Sequence, residues 1–544
     1  TYETSDFRDI TLKGKYSNGE YRNPISSSIS IDNFSFNSHL SNAEGSATLK
    51  NFKTPSIDAR LKGYIAAENF GEILAEKEIF NFSGDIMPDL HITALLNSFN
   101  NIDVNSIKSL GIDGNASLEN LEFYYKDKIN IHNLSGNVEF AGDSWLPDLQ
   151  FNSNIGSFNC SLQLDHILKF LFQKQNYLSI YGEVEGKDND LTILKESTEN
   201  NDSQTKGFEL PEKLFLKLNT SFYNFSYGTF RAEKIGSKLN YRPGFLSVPE
   251  MNISSMGGSI TGHSALIQDR EKNIMFRTQN DLHAVDIHRL FKSFNEFYQE
   301  FITSRNIEGI LSGNVDFATE TDSLLKVNRE KTKAEASIVI SSGELNHFEP
   351  MKKLSKYIEL EELENIRFSN IENTISIHDE MIHIPQMDIH SNAFNITASG
   401  THGFDGNFEY KLKVNLSELL AGKAKRAKKE NEEFGVIEKD TRRTSLYLTI
   451  LGNPDDYKIK YDKKEAVNQI KKDLSREKQT LQKILNEEFG WFKKDSISAD
   501  TLKKKENNSF IFKWDEENDS IKNNSKNIKQ NTEEEKLEFE WEGL

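Results

Sequence analysis

Apolar residues fall at every second position through much of Arg367–Leu416, RFSNIENTISIHDEMIHIPQMDIHSNAFNITASGTHGFDGNFEYKLKVNL. Ile382 and Ile384 flank His383, and Met387 and Ile389 flank Asp388. Phe394, Ile396 and Ala398 alternate with Asn395 and Thr397, and Phe408, Tyr410, Leu412 and Val414 alternate with Glu409, Lys411 and Lys413. A period of two gives a strand one apolar face and one wet face. The separators HDE, Pro385, HSN and GFDGN are turn chemistry. The stretch predicts a meander of antiparallel strands with one apolar face, including two short strands on either side of Pro385.

The same alternation recurs along most of the chain. It predicts strands at Ile10–Tyr16, Pro24–Asn37, Gly45–Phe52 and Ser56–Ala66, then a run of strands through residues 82–160. Further strands are expected at Tyr177–Leu194, Phe208–Asn219, Phe222–Phe230, Lys238–Ile267, Gly309–Phe317, Ala336–Phe348, Ser445–Gly452 and Asp456–Tyr461. The period changes in Asp286–Ile302, where Ile287, Leu290, Phe291, Phe294, Phe297, Tyr298 and Phe301 recur at three and four and predict one amphipathic helix. Short helices are expected at Phe70–Ala75, Leu164–Gln173 and Pro350–Leu363, and a charged helix at Lys463–Phe489. Thr319–Lys333 is polar and reads as a loop or charged crossover. The chain divides accordingly into a β segment at 1–194, an exposed polar loop at 195–207, a middle β-repeat at 208–335 and a C-terminal β-repeat at 336–462. A charged helix at 463–492 and a charged tail at 493–544, disordered or docked on a partner, complete it.

Two of these segments echo each other. Setting Ser247–Ser264 against His383–Gly400 aligns Pro249 with Pro385, Met251 with Met387 and Ile253 with Ile389. Ser255 then meets Ser391, Ile260 meets Ile396 and Thr261 meets Thr397. Echoing meanders predict an elongated stack of similar sheet units.

Composition narrows the chemistry. A net charge of −18 argues against a nucleic-acid partner. One cysteine, Cys160, excludes an internal disulfide and a cysteine metal cluster. No apolar run is long enough for a transmembrane helix. The chain has no signal peptide at Thr1 and reaches strand-like sequence by Ile10, so an upstream anchor is expected.

The order of these elements carries a resemblance. Phe368–Leu416, then SLYLTILGNPDDYKIKYD at Ser445–Asp462, and more loosely Pro249–Gly262 and Ser56–Leu74, are similar to the AsmA-like proteins of Gram-negative bacteria, most of all the long versions of Bacteroidota. The polar insertion Lys195–Lys206, the charged stretch Lys423–Arg443, the long charged tail and the lack of an N-terminal anchor helix depart from the family. The resemblance implies a long, bent, taco-like β-sheet whose apolar groove conducts phospholipid acyl chains between membranes. It implies a periplasmic protein anchored to the inner membrane, supporting outer-membrane homeostasis, with no cofactor.

An apolar sheet face must be covered by a sheet, a helix or a ligand. A chain of about sixteen carbons gains on the order of 10 kcal/mol gross on burial. Candidate groove liners are Ile382, Ile384, Ile389, Phe394, Ile396, Leu412, Val414, Leu446, Leu448 and Ile450; the alternative is that they fill a sandwich core. Lys423, Lys425, Arg426, Lys428 and Lys429 are candidates for contact with anionic headgroups, or are a solvated charged face. Phe510, Phe512 and Trp514 form a candidate docking patch for another envelope protein. His378, His383 and His390 are expected to be satisfied surface histidines rather than metal ligands. No GxSxG, HExxH, P-loop or Rossmann fingerprint is present, so a non-enzymatic role is expected. The rival to lipid conduction is a structural or assembly subunit of an envelope complex.

Overall fold

Strand after strand pairs with its immediate successor in the chain. A computed structural model describes residues 8–38, 41–71, 75, 78–97, 107–126, 128–172, 177–193, 208–349, 364–392, 395–415 and 445–462. The chain divides into two units, Thr1–Lys460 and Tyr461–Leu544. The strands of the first begin with β1 (Arg8–Ser17), β2 (Ser28–Asn37), β3 (Ser41–Lys50), β4 (Ser56–Ala66), β5 (Ile79–Leu96) and β6 (Ile107–Tyr125). Next come β7 (Ile129–Gly142), β8 (Ser144–Ser153), β9 (Gly156–Asp165), β10 (Leu178–Lys187), β11 (Leu214–Tyr227) and β12 (Phe230–Arg242). After them stand β13 (Phe245–Ser255), β14 (Gly258–Gln268), β15 (Ile274–Asp286), β16 (Ile307–Thr321), β17 (Val327–Asn346) and β18 (Asn365–Phe368). β19 (Ile371–His378), β20 (Met381–His390), β21 (Asn395–Gly403), β22 (Phe408–Asn415), β23 (Ser445–Gly452) and β24 (Tyr457–Asp462) complete the series.

All belong to one elongated, curved sheet, open rather than closed into a barrel. Among the described residues every pairing of named strands is antiparallel except β10–β11, where Leu178 lies opposite Leu214 and Lys187 opposite Tyr223 in parallel register. Helices are few. α1 (Ile167–Phe172) follows β9 and α2 (Ile287–Ser293) follows β15, with single 3-10 turns at Ala67–Phe70 and Asn295–Tyr298. The register places the segments that leave β4, β10, β15, β17 and β22 on one rim of the sheet, the insertion rim. α1 leaves from the opposite rim.

Two devices bend the sheet. Glycines stand mid-strand where neighbouring backbones close in. Gly136 has φ +147, and a Cβ there would meet the Asp148 carbonyl oxygen; Gly182, with φ +138, stands in the same relation to Ser161. Bulges supply the second device, with register shifts at Leu118/Leu121, His132/Ser135, Leu282/Val285 and Glu308/Ile310 all toward the insertion rim. A bulge kinks its strand and raises the local twist.

The sequence echo is a geometric one. In β13–β14, Val248 pairs with Ser264 and Met251 with Gly262 across a bulge at Pro249 and Glu250. In β20–β21, Ile384 pairs with Gly400 and Met387 with Ala398 across a bulge at Pro385 and Gln386. Pro385 therefore sits inside one bulged strand, not between two strands. A bulge absorbs the missing N–H that would otherwise leave a gap in the ladder.

Other expectations change more. Asp286–Ile302 is not one helix. Asp286 caps α2 by accepting from the Arg289 amide, and the helix stops after seven residues. Asn295, Glu296 and Phe297 then adopt left-handed φ of 51, 54 and 54. The apolar spacing serves two surfaces. Ile287, Leu290 and Phe291 pack beneath α2, whereas Phe301 reaches the C-terminal core. Thr319–Lys333 is the end of β16, a tight turn at Asp322–Lys326 and the start of β17, not a loop. The boundary at 335 falls inside β17, and that at 194–208 is bridged by the β10–β11 pairing, so the ladder runs through both. The expected loop at 195–207 and the expected helices at 350–363 and 463–492 lie outside the described residues, as does the tail 493–544.

Candidate functional site

Cross-strand partners share a face, so the register reveals what each face presents. Starting on β1, Leu12 pairs with Phe34, Phe34 with Gly45, Gly45 with Leu61 and Leu61 with Leu90. Leu90 pairs with Gly114, Gly114 with Phe140, Phe140 with Trp145 and Trp145 with Leu164. Leu164 continues to Ile180, Leu216, Tyr241, Leu246, Leu266 and Phe276. The row reaches its first aliphatic hydroxyl at Thr319 on β16. It crosses fifteen strands without a charge, and at about 4.8 Å per rung that is on the order of 70 Å of sheet. A parallel row runs through Leu118, Gly136, Leu149, Cys160 and Val184. Burial raises the Cys160 thiol above its ordinary range, as befits a packing residue on this face.

The opposite face is polar. Cross-strand partners His263, Gln279, Asp316, Glu335, Ser376 and His383 run along it. Burial pushes the Asp316 carboxyl up and the neighbouring Arg277 guanidinium down to about 10. The sheet is thus a trough with an apolar inside and a polar outside.

The inside is covered unevenly. From Phe34 to Leu216 no residue of the long row is buried. Buried apolar residues sit mainly in three clusters. Ala67, Leu121 and Leu134 lie by the first 3-10 turn, and Met256, Val285, Ile287 and Leu311 lie under α2. The third cluster fills the trough at β18–β23 and contains Phe348, Ile366, Ile396, Ala398, Phe408, Leu412, Val414, Leu448 and Ile450. A strap between α2 and β16 helps close it. Phe301 on this strap lies 4.2 Å from the Phe408 ring centroid, 5.1 Å from Phe348 and 5.3 Å from Tyr410. Gln299 fixes the strap by accepting from the Phe301 and Ile302 amides, and Glu296 accepts from the Ser304 amide and hydroxyl. Burial raises the Tyr410 hydroxyl far above its usual range and lowers His402, whose Nδ1 lies 3.1 Å from the Tyr410 oxygen.

The sequence-selected liners divide across this boundary. Ile396, Leu412, Val414, Leu448 and Ile450 are 1–8% exposed and form the packed C-terminal floor. Ile382, Ile384 and Ile389 share the inner face and are half-buried. Phe394 and the side chain of Leu446 lie outside the described residues. So do Lys423, Lys425, Arg426, Lys428 and Lys429, and Phe510, Phe512 and Trp514. Sequence reasoning passed over the open stretch, where Phe34, Leu61, Leu90, Phe140, Ile180 and Leu216 stand. The signal was present as alternation punctuated by mid-strand glycines.

The histidines also differ from expectation. His378 and His383 are buried, their rings stacked 4.1 Å apart at 11°, while His390 is exposed. The hairpin between β19 and β20 turns so tightly at Asp379 and Glu380 that the two rings meet on its outer side. Among the described residues no group of three His, Cys, Asp or Glu side chains is placed to hold a metal. Nor is any helix among them long and apolar enough to cross a membrane.

No known protein family, characterised protein or solved structure matches this chain. The architecture, an elongated, open and mostly antiparallel sheet, is that expected of an AsmA-like fold. The trough itself therefore carries the functional reading.

Proposed function

We propose that this protein is a non-enzymatic carrier of phospholipid acyl chains, held in the open trough with headgroups in solvent. The observation that carries the reading is the charge-free row from Leu12 to Phe276, partly exposed over most of its length. Burying each methylene there is worth about 0.8 kcal/mol, whichever rung it lies on. A uniform wall lets a chain slide without a deep minimum at any one position. The resemblance to AsmA-like proteins supports a periplasmic setting, an inner-membrane anchor, and transfer toward the outer membrane in support of its homeostasis. Other envelope proteins would then dock through the C-terminal tail.

The packed cluster at β18–β23 favours a second reading, in which the fold serves as a scaffold in an envelope assembly. Native mass spectrometry of the purified chain with lipid extraction separates the two. Several co-purifying phospholipids per chain are expected, reduced at least about tenfold in Leu90→Asp/Leu216→Asp and retained in Lys217→Asp on the outer face. A well-folded protein with no bound lipid, whose inner face a photoactivatable acyl probe cannot label, would move the assignment to the scaffold.

A further inference from the structure

One set of aromatic rings climbs out of the trough. Phe222 and Phe225 stand on the inner face of β11, opposite Ile235 and Ala232. Phe225 contacts Phe230 at 6.4 Å, Phe230 contacts Phe294 at 6.2 Å, and Phe294 stacks on Phe297 at 5.8 Å and 14°. The path begins on the trough floor and ends in solvent at the insertion rim. Phe294 and Phe297 are 44% and 49% exposed there, and Tyr227, in the neighbouring β11–β12 turn, is 47% exposed. The Thr229 hydroxyl donates to the Ser293 carbonyl and holds that turn against the end of α2.

This display is held in place by unfavourable backbone. Asn295, Glu296 and Phe297 are consecutive residues with left-handed φ, and a phenylalanine in that region is disfavoured. The turn places two large apolar rings side by side in water. Its one acid, Glu296, is folded inward onto Ser304. Exposed bases stand on the same elements: Arg231, which donates to the Gly228 and Phe230 carbonyls, and Arg289 and Lys292 on α2. Three exposed acids stand near them: Asp190, which is bridged to Ser226 and feels the Arg231 charge, and Glu233 and Glu300. The strap begins immediately beyond Phe297, and Phe301 closes the trough there.

We infer that this aromatic and basic rim, Tyr227, Phe294 and Phe297 with Arg231, Arg289 and Lys292, docks on the surface of an anionic phospholipid bilayer. Lipid then passes sideways between bilayer and trough along the rings, at the point where the strap blocks passage toward β18–β23. The inference rests on the lipid-carrier reading for the passage of lipid, though not for the docking. Aromatic rings with adjacent bases suit the headgroup level, where one end is apolar and the other wet. A protein partner would find the same rings, and the test separates the two.

The experiment is flotation of the full chain with vesicles of phosphatidylethanolamine and phosphatidylglycerol, with bound lipid measured in parallel by native mass spectrometry. Wild type is expected to float, more weakly on vesicles of phosphatidylcholine alone. Phe294→Ser/Phe297→Ser is expected to partition at least about tenfold less while keeping its bound lipid. Arg231→Glu/Lys292→Glu leaves the rings in place and is expected to lose the preference for anionic vesicles. That pair decides the matter should the serine variant fold poorly. Flotation of both variants equal to wild type, or a wild-type chain that does not float, overturns the docking. A chain that floats through these residues yet carries no lipid upholds the docking and overturns the carrier reading.

Discussion

A side chain at Gly136 would have to share space with the Asp148 carbonyl while holding a φ that only glycine adopts freely. Gly136→Val is therefore expected to cost roughly 2 kcal/mol or more, read as a lower urea midpoint. Gly236, with nothing within 4 Å of the same position, is the control. Gly236→Ala should stay within about 1 kcal/mol of wild type. His402 makes a different prediction at the same scale. Burial lowers its folded pKa, so the unfolded chain takes up a proton that the folded chain resists. Its contribution is complete above about pH 6.5 and is lost as pH falls toward the lowered folded value. His402→Phe should flatten the stability profile in that window, measured by urea unfolding over a pH series. Such effects are invisible in the sequence, because neither a neighbour's carbonyl nor the depth of an imidazole is written in local periodicity.

At the scale of elements, alternation identified most of the strands correctly because each has one wet face. It failed where two causes produce one pattern. Apolar residues at three and four from Ile287 to Phe301 suggest a helix, but the chain uses them in two places separated by a left-handed turn. Pro385 suggests a break, but a bulge takes it up within a strand. The paired bulges at Pro249–Glu250 and Pro385–Gln386 keep Met251 and Met387 on the inner face. If residue count rather than proline sets that geometry, Pro249→Ala should change stability by less than about 1 kcal/mol. Deleting Asn252, where the ladder is regular, should be far worse, because a one-residue slip sends Met251 or Ile253 outward. Urea unfolding of the two variants checks this directly.

Across the first unit, the fold class was legible because β-alternation persists through hundreds of residues. The division of the inner face into an open stretch and a packed one was not. Ile180 and Ile450 look alike in sequence. The difference is that Ile450 lies in the cluster that Phe301, from the connection between β15 and β16, helps to close. Hydrogen exchange should report this asymmetry. Amides of β21 and β22 are expected to exchange at least about tenfold more slowly than those of β2–β4, where little covers the inner face. The lone parallel pair has a consequence of another kind. In an antiparallel ladder each strand returns the chain to the other rim, so a rim works like a reading frame. Inserting or deleting one strand shifts every later excursion to the wrong rim, whereas a whole hairpin leaves the frame intact. The β10–β11 pair is a one-step frame correction, and it brings α2 to the same rim as the turn at Ala67–Phe70. The trough can therefore lengthen or shorten by hairpins alone, and any descendant with an odd count of added strands would need a second such correction.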